Sequence, residues 1–100
     1  MSCGFSEYEL YIIWKICYRN RWCPKKHIAK RDLVKGRPIH EIDKYEAAIE
    51  NLVKKQFLHP YYSQGRTDVC MPKQNRNKAQ EALEAHKNQY TFIRNLEFIR

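Results

Sequence analysis

Ile39-His40-Glu41-Ile42-Asp43-Lys44-Tyr45-Glu46-Ala47-Ala48-Ile49-Glu50-Asn51-Leu52-Val53-Lys54-Lys55 is the stretch around which the rest of the chain is arranged. Its apolar residues fall at positions 42, 45, 49, 52 and 53, the spacing of one helical face. Lys35-Gly36-Arg37-Pro38 precedes it as a tight corner, and Gln56-Phe57-Leu58 follows where a strand can begin. With about 100° between successive residues, the core centre lies between Tyr45, Ile49, Leu52 and Val53. The opposite face collects His40, Asp43, Lys44, Ala47, Asn51, Lys54 and Lys55. Glu41 and Glu46 fall on the two margins. Glu50 lies between margin and outer face, spaced for an i,i+4 pair with Lys54.

Toward the N-terminus, Ser6-Glu7-Tyr8-Glu9 reads as a capping box and starts a helix expected over 7–18. Leu10, Ile13, Trp14 and Cys17 form its core face, with Tyr8, Tyr11, Ile12 and Tyr18 on other sides. A helix apolar nearly all round is either wedged between two others or part of a subunit interface, and both readings stand. Arg19–Lys26 is a basic loop containing Pro24 and anchored by Trp22. His27–Val34 is predicted as a second helix, closed by Gly36 as a left-handed cap. Pro38 suits the start of the next helix, so the order is helix, short turn, helix.

Toward the C-terminus, Phe57–Tyr62 and Thr67–Met71 are rich in aromatic or β-branched residues. Ser63-Gln64-Gly65-Arg66 lies between them, which predicts a β-hairpin. Pro60 confines the first strand to an edge, and Pro72 stops the second. A last helix is expected from Asn75 or Asn77 through Ala79, Ala82, Leu83, His86 and Tyr90. Phe92, Leu96 and Ile99 extend its spacing, which favours one long helix over a partly extended tail.

Charge is concentrated. The formal net charge is +8, and Lys15–Pro38 alone carries nine cations against Asp32, so the rest of the chain sums to zero. Such a segment attracts polyanions, nucleic acid first. Lys25, Lys26, Lys30, Arg31, Lys35 and Arg37 are the candidates for phosphate contacts. His40, Lys44, Asn51 and Lys55 are the candidates on the third helix, where Asn51 has the donor and acceptor to pair with adenine. Arg66 at the hairpin tip suits a minor groove.

The order of elements, with Leu52-Val53-Lys54-Lys55-Gln56-Phe57-Leu58 leading into the hairpin, resembles the winged-helix transcription regulators. In that family the third helix ends in a leucine-rich segment, a lysine and a short turn before the first wing strand. The final helix is similar to the dimerisation helix of PadR-type and small archaeal or archaeal-virus regulators. The resemblance spans residues 6–72 and, more loosely, the final helix. It implies an α+β, mostly α fold: a winged helix-turn-helix with a long C-terminal helix. Residues 1–74 would form the DNA-binding domain and residues 75–100 a dimerisation helix packed on it. Tyr8, Tyr11, Ile12, Leu83, Tyr90, Phe92 and Leu96 are the expected homodimer contacts.

The implied function is a homodimeric, double-stranded DNA-binding regulator in the cytoplasm, on the nucleoid. Two other readings stay open: a protein-interaction module, and an RNA-binding protein using Trp22, Tyr61 or Tyr62 as stacking platforms. No apolar run is long enough to span a bilayer, and no signal peptide is evident. Cys3, Cys17, Cys23 and Cys70 are therefore expected to be reduced thiols. No pair has the C-x-x-C spacing of zinc sites, and no Gly-rich phosphate loop or nucleophile–base pair stands out. No metal, cofactor or catalytic residue is assigned, and the chain is not expected to be an enzyme.

Overall fold

The structure is a computed structural model that describes residues 4–93. It is an α+β fold of four α-helices and a small antiparallel sheet. The order is α1 (Glu7–Tyr18), β1 (Ile28–Ala29), α2 (Lys30–Leu33), α3 (Ile42–Lys54), β2 (His59–Ser63), β3 (Arg66–Cys70) and α4 (Arg76–Ala85). Among the described residues, no helix is long and apolar enough to cross a membrane.

α1 begins where its capping box dictates. The Ser6 hydroxyl accepts from the Glu9 amide at 3.1 Å, and the Glu9 carboxylate accepts from the Ser6 amide at 2.9 Å. Leu10, Ile12, Ile13, Ile16 and Cys17 are all fully excluded from solvent, so the helix is enclosed by its own chain. α3 lies along it, burying Tyr45, Ala48, Ile49 and Leu52. Its entry is a 3₁₀ turn over Ile39–Glu41. Its exit is a left-handed Gln56 (φ 62), after which the Phe57 amide donates to the Leu52 carbonyl at 2.9 Å. α4 covers another side of α1 with Ala79 and Leu83.

The sheet order is β1-β3-β2. The hairpin turns through Gln64 (φ 50) and Gly65 (φ 75), two left-handed residues as a two-residue hairpin loop needs. Pro60 stands on the edge strand β2, opposite Val69.

Three expectations are corrected. Ile28–Ala29 is not helical: it pairs with Val69 and Asp68 as a third strand, and α2 shrinks to Lys30–Leu33. Both residues are buried there, which outweighs the short run's helical spacing. The long C-terminal helix is absent, because α4 ends at Ala85. The His86 ring closes it at 2.9 Å from the Ala82 carbonyl. The chain then folds back, setting Phe92 edge-on to Tyr11 at 5.3 Å and burying Ile93. Residues 94–100 lie outside the described residues.

The third correction concerns the thiols. Cys23 and Cys70 form a disulfide closing 47 residues of chain, with Cα atoms 5.2 Å apart. Backbone bonds flank it: the Cys23 amide to the Met71 carbonyl and the Met71 amide to the Arg21 carbonyl, both 3.0 Å. Cys17 is a free thiol in the core, and burial pushes its pKa up to about 12 against the opposing charge of Arg76.

Closing a loop of that length stabilises by roughly 4 kcal/mol in the chain-entropy account. Cys23→Ala should therefore lower unfolding free energy by about that much, read by urea titration without reductant. In a Cys3→Ser background, a thiol-reactive dye should find no thiol in the folded protein, one after denaturation and three after reduction.

Candidate nucleic-acid interface

α3 presents its outer face to solvent because its apolar residues are consumed by α1. His40, Asp43, Lys44, Ala47, Asn51, Lys54 and Lys55 are all exposed. The acids distribute unevenly: Glu41 and Glu46 are half-buried at the margins, while Asp43 and Glu50 are exposed. Glu50 does not pair with Lys54 as its spacing predicts. Its carboxylate takes the Lys30 ammonium at 3.0 Å, which joins the basic side of α2 to the outer face of α3.

The basic segment converges in space as well as in sequence. Partial burial lowers the Lys15 pKa, and the charges of Arg19, Arg37 and Lys35 lower it further against the opposing Asp32. Lys25, Lys26, Arg31 and Lys35 are exposed. None of the four has an ion-pair partner among the described residues. Arg31 and Lys35 stand four residues apart at the end of α2.

Other candidates are already engaged within the chain. Arg37 lies 4.6 Å from the Tyr11 ring centroid and 6.0 Å from that of Tyr45, so its cation faces an aromatic cluster. Burial raises the Tyr45 hydroxyl pKa, and a hydrogen bond from Arg37 opposes the shift. Lys55 reaches the buried Glu9 carboxylate at 3.2 Å and lies 5.3 Å from the Phe5 ring. Lys44 sits 5.8 Å from the Tyr8 ring. Arg66 is not at the hairpin tip, which is Gln64-Gly65. It makes two hydrogen bonds to Asp68, at 2.9 and 3.1 Å.

The residues expected at a subunit contact are drawn inward. Tyr11, Ile12 and Leu83 are buried within the single chain and offer no surface to a second copy. Tyr8 packs edge-on against Tyr45 at 4.9 Å. Tyr90 stacks on Phe92 at 5.5 Å, and Phe92 covers Tyr11 and Trp14. Leu96 lies outside the described residues.

Two features escape a reading by helical periodicity. The outer face of the sheet carries His27, stacked on Tyr61 at 4.7 Å, with His59 edge-on to Tyr61 at 5.0 Å. Asp68 is the floor of this cluster, taking His27 at 3.0 Å as well as Arg66. Strand alternation from a two-residue turn brings Tyr61 opposite Asp68 and was the available signal; His27 arrives from the residue just before β1, which had none. The second feature is exposed apolar surface: Ile39 is 91 % exposed and Tyr62 75 %. No family model, curated protein or solved structure matches the chain.

Burial raises the Asp68 pKa, but hydrogen bonds and charge from Arg66 and His27 outweigh it and hold the carboxyl below its ordinary 3.8. That contribution to stability is present above pH 4 and is lost as pH falls through the lowered value. Asp68→Asn should flatten stability between about pH 4 and pH 2, measured by chemical unfolding at each pH. Lys55→Ala should reduce stability by about 1–3 kcal/mol, because the buried Glu9 carboxylate loses its cation. Thermal and urea unfolding check it.

Proposed function

We propose that this is a winged-helix protein that binds double-stranded DNA and regulates transcription, with α3 as its recognition helix and the β2–β3 hairpin as its wing. The observation that carries the reading is the Lys30–Glu50 contact, because it holds α2, with the exposed Arg31 on it and Lys35 just after it, beside an exposed, mixed-polarity helix face. A groove-binding helix needs that pairing of a readable face with adjacent cations, since phosphate contacts position and base contacts specify.

The element order supports the fold half of the proposal. A short strand between the first and second helices, pairing beside the second hairpin strand, gives three helices with a wing directly after the third. Lys25, Lys26, Arg31 and Lys35 supply the phosphate contacts, and His40, Lys44 and Asn51 face the bases. Tyr62 shares a strand face with Pro60, opposite that of Tyr61, and extends from the wing where an aromatic ring can lie along the sugar-phosphate backbone. Arg37, Lys55 and Arg66 have structural tasks and are not among the contacts. A single chain forms the whole surface.

Binding of a fluorescent random duplex should weaken steeply as salt rises, with a log–log slope near −0.9 for each phosphate contacted. Arg31→Ala combined with Lys35→Ala should make that slope shallower by about 2 and leave unfolding unchanged. A slope near zero for the unmodified protein would overturn the reading, and preference for single strands or structured RNA would replace it.

A further inference from the structure

We infer that Ile39 distinguishes thymine in the bound duplex, its side chain meeting 5-methyl groups in the major groove. This rests on the reading of α3 as a DNA-facing helix. Ile39 is the most exposed of the large apolar residues described, and none of the described residues covers it. It opens the 3₁₀ turn that leads into α3, and four and eight residues on come Asp43 and Ala47, both exposed.

The side chain is also held rigid. Gly36 at φ 85 turns the chain, Pro38 fixes the next step, and the Glu41 amide donates to the Pro38 carbonyl at 2.9 Å. The Ile39 carbonyl then accepts from the Ile42 amide, so the residue belongs to the helical entry and not to a loose loop. An isoleucine branched at Cβ has few rotamers, so aiming it at a partner gives up little freedom.

Its surroundings select the partner. Lys35 and His40, within four residues of Ile39, are exposed, and Arg37 between them is half-buried. A lone apolar side chain is too small to be a protein-docking patch, and the basic segment that ends beside it at Pro38 fits a polyanion. Within a duplex major groove, the thymine methyl is the apolar group a side chain can meet.

The test uses the full chain and a duplex selected from a random pool, with deoxyuridine then replacing thymidine one position at a time. This removes a methyl group and leaves every hydrogen-bonding edge intact. At one or two positions the protein should bind the uracil duplex roughly fourfold more weakly, the fold-change of one buried carbon. Ile39→Ala should bind both duplexes equally, and Ile39→Val should keep the discrimination. An exposed position leaves folding intact, which circular dichroism checks. Equal binding of thymine and uracil at every position overturns the proposal while duplex binding stands. So does an Ile39→Ala variant that still discriminates. Loss of self-association in Ile39→Ala, seen by sedimentation, assigns the side chain to a second copy and also overturns it. Absence of salt-sensitive duplex binding overturns the underlying reading instead.

Discussion

α1 has almost no polar side, and the protein is built around enclosing it. Leu10, Ile12, Ile13, Ile16 and Cys17 retain no solvent contact, and with the buried Tyr11 they span well over half of the helix circumference. Full burial of each large apolar side chain is worth about 1.5–3 kcal/mol, against about 0–1 for an exposed ion pair. Packing around α1 therefore decides where the other elements go. α3 gives it Tyr45, Ile49 and Leu52, α4 gives it Leu83, and the sheet contributes Val69 and Met71 to the same core. Phe92 and Ile93 return to finish the enclosure, which ends α4 early. α3, packed by one face, turns the other outward.

The elements legible in the sequence are those whose signals are local. The capping box fixes the start of α1 because both of its hydrogen bonds close within three residues. The spacing of Tyr45, Ile49 and Leu52 identifies α3 because a single neighbour covers that face. Gln64-Gly65 identifies the hairpin because few other dipeptides adopt two successive left-handed residues. β1 is illegible for the opposite reason. A two-residue strand has no alternation to read, and only β3, forty residues away, makes Ile28 and Ala29 extended. The disulfide is hidden in the same way, since Cys23 and Cys70 meet only when β3 lies beside the loop after α1. An argument from cellular redox conditions treats all cysteines alike and overlooks this proximity.

The charge pattern was legible as a count and not as a set of partners. Nine cations between Lys15 and Pro38 predict a positive field, and at Lys15, whose pKa burial lowers first, Arg19, Arg37 and Lys35 lower it further. Which cations remain available depends on tertiary neighbours that spacing does not reveal. Glu9 claims Lys55 because the carboxylate is buried and needs a cation from another element. Asp68 claims both Arg66 and His27 for the same reason. Arg37 turns inward because Tyr11 and Tyr45 present ring faces where the corner before α3 passes. Among the exposed cations that no carboxylate of the described residues claims are those of the Lys25–Lys26 loop, Arg31 and Lys35.

The same bookkeeping changes the meaning of the acids on α3. Read as a sequence, Glu41, Asp43, Glu46 and Glu50 weigh against an approach to phosphate. In the fold, Glu41 and Glu46 are half-buried on the margins where their spacing sets them, and Lys30 neutralises Glu50. Asp43 is left as the acid of the outer face with no ion pair among the described residues. At 4 Å from a phosphate in water its repulsion is on the order of 1 kcal/mol, and salt screens it beyond about 8 Å. One exposed lysine offsets that. Next to a base edge the same carboxylate is selective, because it can accept from the cytosine amine and is repelled by the acceptors of guanine. On the proposed reading, affinity therefore comes from cations on α2 and its flanking loop. Discrimination comes from a short outer row on α3 in which an acid, an amide and an apolar group each match a different base.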